Sequence, residues 1–511
     1  MSEPREIELK LEASGPDIAA LATHPLLQSA EAGPAAILTS TYFDTAGGDL
    51  RANGLTLRVR VQRGDHVQTV KAASVTAGLF DRAEWEGPVE GPLPDLAALA
   101  ETPAAKILDK AKDAELAQLF ATVVERTTRR ISYGASRISA TLDQGRIETP
   151  AGDAPLCELE LELEEGTAGD LFALAQALAE TAPLRLGALS KSERGFALTD
   201  ETLRRPRKAG AVTLEEGVSA GEAFRTIALS CLRHLRLNED VFLHSRDPEA
   251  LHQIRVALRR LRSAFTLFKP IVAEDPAAGQ LREEIKRVTE PFGQARNLDV
   301  FLSTTLPAEV KRRPDEAGLD ELRQRLEVER ERAYEAVLNT LQSPAWRALI
   351  LDLVTWLETG PWRKGRAPRE RDAPAGDYAA SVLERARRRI KKRGRRLDTL
   401  EPEARHHVRI EAKKLRYGAE FFASLYTGRK AAKRHKAFVS ALSDLQDHLG
   451  ALNDLATAHE VAASVVSGED SATAAFAAGL TAADGEGNVE ALLEASAEAH
   501  EELIDVKPFW R

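Results

Sequence analysis

Two cysteines, one methionine and only 5% aromatic residues in a chain of 511 leave little material for several kinds of chemistry. Cys157 and Cys231 are too few for a disulfide framework or a zinc site. Neither a glycine-rich phosphate loop nor a nucleophile elbow occurs, so a P-loop nucleotide site and an acyl-transfer serine are not indicated. No apolar run reaches membrane-spanning length and there is no signal-peptide start, which points to a soluble protein of the reducing cytoplasm. Charge, by contrast, is plentiful: Lys and Arg number 70 and Asp and Glu 79, a net charge of −9. That total conceals an imbalance, about −12 over residues 1–200 and about +3 over the remainder.

Within the first 200 residues, charged and apolar side chains alternate with the period of a β-strand. Glu6-Ile7-Glu8-Leu9-Lys10 puts two carboxylates and an ammonium on one face and apolar groups on the other. Leu57-Arg58-Val59-Arg60 and Thr69-Val70-Lys71 repeat the pattern with cations, Arg82 to Glu86 mixes the signs, and Glu158, Glu160, Glu162 and Glu164 form an acidic ladder backed by leucines. Such faces cannot be buried unpaired. They are either solvated or enclosed in a polar lumen, with Leu9, Leu57, Val59, Leu159 and Leu161 packed outward under helices. Hard carboxylates beside basic groups suit a divalent cation that shares its shell with phosphates.

These segments, with Thr41-Tyr42-Phe43-Asp44-Thr45, a turn at Leu142-Asp143-Gln144-Gly145 and Ser190-Lys191-Ser192, resemble the CYTH superfamily, the triphosphate tunnel metalloenzymes, over roughly residues 4–200. The resemblance implies an antiparallel β-barrel tunnel. It implies metal ligands at Glu6, Glu8, Glu158 and Glu160, with Glu162 and Asp143 added to that acidic set, for Mg²⁺ or Mn²⁺. One cation belongs with Glu6 and Glu8 and a second near the 158–162 ladder. Lys10, Arg58, Arg60, Lys71, Arg82 and Lys191 resemble the groups that hold the triphosphate. One arginine of the 126–130 run joins them, Arg126 ahead of Arg130. Lys10, Arg58, Arg60, Lys71 and Glu84 stand nearest the chemistry. Attack by water needs no side-chain nucleophile, only neutralisation of the phosphoryl oxygens and the leaving group.

Beyond a basic linker at 204–215, helical periodicity takes over. His252-Gln253-Ile254-Arg255 to Arg262 aligns without gaps on His406-His407-Val408-Arg409 to Arg416, and each copy is preceded by a helix start with proline at the first position, Pro248 and Pro402. On a helix, His252, Arg255, Arg259 and Arg262 share one face, and Ile254, Leu258, Leu261 and Phe265 form the buried stripe beside it. The second copy repeats this with His406, Arg409, Lys413 and Arg416, and Arg260, Lys414, Arg388 and Lys392 add to the basic surface. Crowded like charge of this kind calls for a polyanion.

This half resembles the CHAD domain, from about residue 215 to Arg511, with Arg296-Asn297 where that family more often has Arg-Asp. The resemblance implies two pseudo-symmetric four-helix bundles, at about 216–358 and 377–511, whose basic cleft binds inorganic polyphosphate. The whole is expected to be a multi-domain chain: an α+β barrel tunnel at 1–203 and an all-α pair of bundles at 216–511. It resembles the bacterial inorganic triphosphatases in which a CYTH domain is fused to a CHAD domain. The expected activity is metal-dependent hydrolysis of inorganic triphosphate to pyrophosphate and phosphate, in the cytoplasm and in association with polyphosphate granules. A nucleoside or thiamine triphosphatase, a class IV type adenylate cyclase and a non-catalytic polyphosphate-binding granule protein are the alternatives. Nucleic acid is disfavoured, because aromatics are not interleaved with the basic face.

Overall fold

The computed structural model describes residues 5–33, 35–73, 77–111, 115–364, 369–466, 475–480 and 489–511. The chain folds into two compact units, Met1–Pro206 with Ser343–Gly360, and Arg207–Gln342 with Pro361–Arg511.

The first unit is built on ten strands: β1 Arg5–Glu12, β2 Glu31–Ala32, β3 Ala36–Thr45, β4 Leu55–Gln62, β5 Asp65–Ala72, β6 Leu79–Val89, β7 Leu116–Tyr133, β8 Ser136–Thr149, β9 Gly152–Glu165 and β10 Arg185–Leu186. Their hydrogen-bonded order is β10-β1-β6-β5-β4-β3-β7-β8-β9, and β1 also pairs with β9. That last pairing closes eight strands into an antiparallel barrel, with the short β2 and β10 added at β7 and β1. Closure leaves every residue of even parity on β1 facing inward and every odd one outward. Much of the outward set is apolar and covered, although Asp81, opposite Ile7, and Ile37 are exposed. Leu55, Leu57, Val59 and Val70 pack with Leu50, Leu99, Ala104 and Leu108 from segments that flank the barrel. Asp44 ties one of these segments down: its carboxylate accepts from the backbone N–H groups of Leu50 and Arg51, each at 2.9 Å, at the start of the helix Asp49–Ala52.

Leu142–Gly145, expected to be a turn, lies instead in the middle of β8. Glycine at 145 reflects close packing of the wall, since a Cβ there would sit 2.0 Å from the Val123 carbonyl oxygen. The helix Pro344–Thr359 falls in the barrel unit although its sequence lies far downstream. It packs on the helix Ala168–Ala179 and on β10, and Gln176 Nε2 donates to Asp352 Oδ1 at 2.8 Å.

The second unit is helical. Ser219 caps the helix Ala220–Ser245 by accepting from Glu222 N–H, and the linker is pinned to that helix by Asn238, whose amide both donates to and accepts from the Arg207 backbone at 2.9 Å. The repeated segments form the helices Pro248–Leu267 and Pro402–Phe421, both starting at the expected prolines. Ile254, Leu258, Leu261 and Phe265 are buried, as the periodicity requires. Ala375–Arg393, Arg429–Val466 and Val489–Asp505 accompany the second repeat. An Ala-rich acidic stretch runs from 467 to 502, and of it residues 467–474 and 481–488 lie outside the described residues, as do residues 365–368 between the two repeats.

Candidate active site

Strand register decides which charges meet. On β1, Glu6 lies opposite Arg82, Glu8 opposite Glu162, and Lys10 opposite Glu160. Across the other wall Tyr42 pairs with Arg58, Lys71 with Glu84, and Arg126 with Asp143, which in turn pairs with Glu158. Paired residues share a face of the sheet, so all of these side chains point into the lumen. They surround a cavity of about 420 Å³ whose lining includes Glu6, Glu8, Arg58, Arg60, Glu162 and Lys191.

Three electrical environments occupy this lumen. At its base Lys10 and Lys191 sit among Asp143, Glu158 and Glu160: Lys191 Nζ is 2.8 Å from Asp143 and 2.7 Å from Glu160, Lys10 Nζ is 3.0 Å from Glu158, and closer contacts join Lys10 to Glu160 and Lys191 to Glu158. Arg126 adds a bidentate pair to Asp143, at 2.8 and 2.6 Å, and reaches Glu160 at 3.1 Å. Three cations thus balance three carboxylates. Burial opposes the charge on Lys10, yet Glu158, Glu160 and Glu8 hold its pKa well above the ordinary lysine value; for Glu158 burial wins and pushes the pKa up.

The acidic wall is not balanced. Glu6, Glu8, Glu84 and Glu162 face chiefly Lys71 and Arg82, with Lys71 Nζ 2.7 Å from Glu6 and 3.0 Å from Glu84, and Arg82 3.4 Å from Glu6 and Glu8, while Lys10 and Arg58 approach this wall at Glu8 and Glu84. Burial, then Glu6 and Glu8, push the Glu162 carboxyl up to about 7. Glu8 Oε1 is buried with no hydrogen bond, the Lys10 ammonium lying 3.2 Å away outside hydrogen-bonding geometry. The cationic wall has the reverse excess. Arg58 Nε is buried without a hydrogen bond and its nearest carboxylate, Glu84, is 3.9 Å away. Arg60 has no ion pair among the described residues, and proximity to Arg58, then burial, lowers its pKa to about 10.

Beyond Tyr42 the lumen turns apolar. Leu38, Tyr42, Phe120, Val124, Ile147 and Leu156 enclose Phe196 from the helix Lys191–Thr199, with Tyr42 stacked on Phe120 at 4.6 Å and Phe196 edge-on to Phe120 at 5.1 Å. Gly195 permits that close approach, because a Cβ would meet the Phe120 ring at 2.0 Å. The same helix carries Ser190, Lys191 and Ser192 to the edge of the cavity.

The acidic wall carries the charge for a divalent cation, although Glu6, Glu8 and Glu162 are not among the carboxylates already gathered at metal-binding spacing. Asp143, Glu158 and Glu160 bring carboxylate oxygens within 4.8 Å of one another. Lys10, Lys191 and Arg126 already neutralise that trio, so a cation would have to displace ammonium groups. Glu6, Glu8 and Glu162 carry excess negative charge and an unsatisfied buried oxygen, the conditions a hard cation relieves.

Other expected site residues are dispersed. Arg130 is 65% exposed and pairs with Glu164, outside the cavity lining. Tyr42 carries no charge to mark it as a site residue in the sequence, yet lines the cavity; its inward parity beside Ser40 and Leu38 on β3 is the signal for it. In the helical unit, Arg260 is buried, pairs with Glu420 and lies over the Phe421 ring at 4.8 Å, apart from the basic face. Lys414 pairs with Glu411 at 3.0 Å, Arg388 with Glu384 at 3.1 Å and Arg416 with Glu420 at 3.8 Å. His406 meets Asn453 at 3.0 Å, and burial followed by Arg296 pushes His252 down to about 4, so that imidazole is neutral at pH 7. Arg255 reaches the Phe292 carbonyl, while Arg262 and Lys392 are exposed.

Comparison with known proteins gives independent assignments for both units. Residues 4–196 match the CYTH domain and residues 226–463 the CHAD domain. An inorganic triphosphatase of Haemophilus influenzae is 29% identical over 163 residues, which is 32% of this chain and 46% of that protein, so the match spans less than half the relative's length. The crystal structure of the CHAD domain from Ricinus communis is 30% identical, covering 58% of this chain and 96% of that one with a TM-score of 0.50. A Hippeastrum protein described as an adenylyl cyclase with a dominant triphosphatase activity is 20% identical over 38% of this chain and 95% of that one, with a TM-score of 0.30. The closed eight-stranded barrel with its charged lumen and the duplicated basic helices thus belong to a protein of the CYTH and CHAD families, joined in one chain.

Proposed function

We propose that the barrel unit is a metal-dependent inorganic triphosphatase and that the helical unit binds inorganic polyphosphate. One observation carries the first part: a single cavity holds carboxylates in excess at Glu6, Glu8 and Glu162 and guanidinium groups in excess at Arg58 and Arg60. A cation complexed with an oligophosphate cancels both excesses at once. The similarity to an inorganic triphosphatase supports the same reading.

Glu6, Glu8 and Glu162 would hold Mg²⁺ or Mn²⁺, which when bound supplies Lewis-acid stabilisation of the phosphoryl charge and activates a water. The remaining work falls to the chain itself. Arg58 and Arg60 present guanidinium forks to non-bridging oxygens, and an arriving anion relieves their mutual repulsion. Lys191, Lys10 and Arg126 are pinned by the buried trio, so the ammonium and guanidinium groups at the cavity base stay oriented through the reaction. Lys71 and Arg82 hold Glu6 and Glu8 in place. Water is the nucleophile in this reading: no cysteine lines the cavity, and the Ser190 hydroxyl, 3.0 Å from the Glu193 carboxylate, is engaged in capping the helix Lys191–Thr199. The apolar cluster beyond Tyr42 favours a short chain bound from one side over a long one threaded through.

Phosphate release from triphosphate, longer polyphosphates, ATP and thiamine triphosphate, each with Mg²⁺ and with Mn²⁺, tests this reading. Triphosphate is expected to show the highest kcat/KM. A preference for ATP or thiamine triphosphate would replace the assignment with one of those activities, and absence of turnover on all four would leave a binding protein. A cytoplasmic location at polyphosphate granules belongs to the same proposal, and no described helix is long and apolar enough to cross a membrane.

A further inference from the structure

The two repeated helices of the second unit place Arg259 and Lys413 at equivalent positions, and the structure brings them together. Arg259, Lys413, Arg262, Lys414 and Tyr417 line one cavity of about 550 Å³, and Arg409 stands one turn before Lys413 on its own helix. What distinguishes this knot from the charged barrel is the missing counter-charge. None of Arg259, Arg409 and Lys413 has an ion-pair partner among the described residues, and the Nε atoms of Arg259 and Arg409 are buried without a hydrogen bond. Lys414, the next residue, shows the contrast with its 3.0 Å pair to Glu411.

The charged groups around Lys413 come from five elements. Arg409, Lys414 and Arg416 share its helix, Arg259 and Arg262 come from Pro248–Leu267, Lys269 from Lys269–Val272, Asp454 from Arg429–Val466, and Arg282, Glu283 and Lys286 from the cavity wall at Pro276–Val288. Asp454 is the acid that acts most on Lys413, but it lies outside ion-pair distance. An arginine in such company has no means of shedding its charge near neutrality, whereas a lysine does. Burial, then Arg409 and Arg259, lower the Lys413 ammonium to about 7.

We infer that Lys413 is a proton-gated contact for polyphosphate, its protonation coupled to binding of the polyanion against Arg259 and Arg409. This rests on the proposed polyphosphate binding of the helical unit and assigns that site its regulation. The bound anion supplies the counter-charge the knot lacks, so the Lys413 pKa rises on binding and complex formation takes up a proton. Below the free-state pKa the proton is already present and affinity is at its plateau; above it, affinity falls toward tenfold per pH unit until the pKa of the complex is reached. With the complex near the ordinary lysine value of about 10.4, the loss between pH 6.5 and 8.5 is roughly 25-fold. Replacement of this side chain by arginine would make the second repeat match Arg259 of the first and remove the gate.

The test uses the full chain and a long-chain polyphosphate, whose internal groups keep a constant charge over this range, with EDTA and at fixed ionic strength. Affinity is measured at pH 6.5, 7.5 and 8.5 for the parent, for Lys413→Arg and for Lys413→Met. Proton uptake is read from calorimetry in buffers of different ionisation enthalpy. The parent is expected to lose roughly 25-fold and to take up close to one proton at pH 8.5. Lys413→Arg should stay tight and nearly flat, and Lys413→Met should be weak and flat. A parent that binds equally at all three pH values, or a Lys413→Arg protein that falls as steeply as the parent, overturns the gate and leaves polyphosphate binding standing. No binding by the parent at pH 6.5 overturns the binding proposal itself.

Discussion

Replacing Lys191 by methionine probes the charge balance at the base of the barrel most directly. The substitution keeps most of the side-chain length and removes the ammonium that touches Asp143, Glu158 and Glu160. Three buried carboxylates are then left with Lys10 and Arg126. Breaking a buried pair typically costs about 3–5 kcal/mol, because one charge is stranded out of water. Relief comes from protonation, and the group that will take the proton is Glu158, whose pKa burial already raises. A carboxyl with a raised folded-state pKa destabilises the fold when ionised, so the deficit is largest at high pH and shrinks as pH falls through that pKa. The expected loss is about 3 kcal/mol or more at pH 8 and smaller at pH 5.5. Since a two-unit chain does not unfold in a single step, the readout is amide hydrogen exchange of β9, Gly152–Glu165, which carries Glu158 and Glu160. A loss under about 1 kcal/mol at pH 8, or one that grows on acidification, would refute the three-against-three balance.

Glu6→Gln and Glu8→Gln should each lower kcat by orders of magnitude and raise the Mg²⁺ concentration for half-maximal activity, with circular dichroism unchanged; near-normal turnover at saturating Mg²⁺ would remove these residues from the metal site. Arg58→Ala and Arg60→Ala should raise KM by about tenfold to a hundredfold, the range for a lost charge-assisted contact of about 1.5–3 kcal/mol, and steady-state kinetics showing neither KM nor kcat altered would place both side chains away from substrate. Gly195→Ala should cost roughly 1–3 kcal/mol and reduce activity, because the added methyl drives the Lys191–Thr199 helix off Phe120; melting curves and turnover like the parent's would show that this helix does not need its close seat. Substituting Arg255, Arg259, Arg409 and Lys413 together by alanine should abolish polyphosphate binding in a filter or calorimetric assay with helical content retained, and parent-like binding by that variant would move the polyanion elsewhere.

Much of the barrel was legible from local pattern. Glu6-Ile7-Glu8-Leu9-Lys10 and Leu57-Arg58-Val59-Arg60 alternate with period 2, and burial forces the apolar side against covering segments and the charged side inward. The duplicated His-x-x-Arg helices were legible for a similar reason, since a 3.6-residue period and a proline start are properties of the segment alone. Less local features were not. Leu142–Gly145 reads as a turn by composition, but Gly145 is required by a neighbouring strand, which no window of sequence contains.

From residue pattern alone it follows that charged and apolar faces segregate, that the charges are too many to bury unpaired, and that a basic helix occurs twice. Tertiary structure decided which charges cancel. Barrel closure put Lys10 and Lys191 among Asp143, Glu158 and Glu160, while leaving Glu6, Glu8 and Glu162 in excess. It selected Arg126 for the lumen and left Arg130 exposed, and it seated the downstream helix Pro344–Thr359 on the barrel unit. The physical reason is range: side-chain periodicity is set within a few residues, whereas charge balance depends on which distant strands and helices end up within a few ångströms of one another.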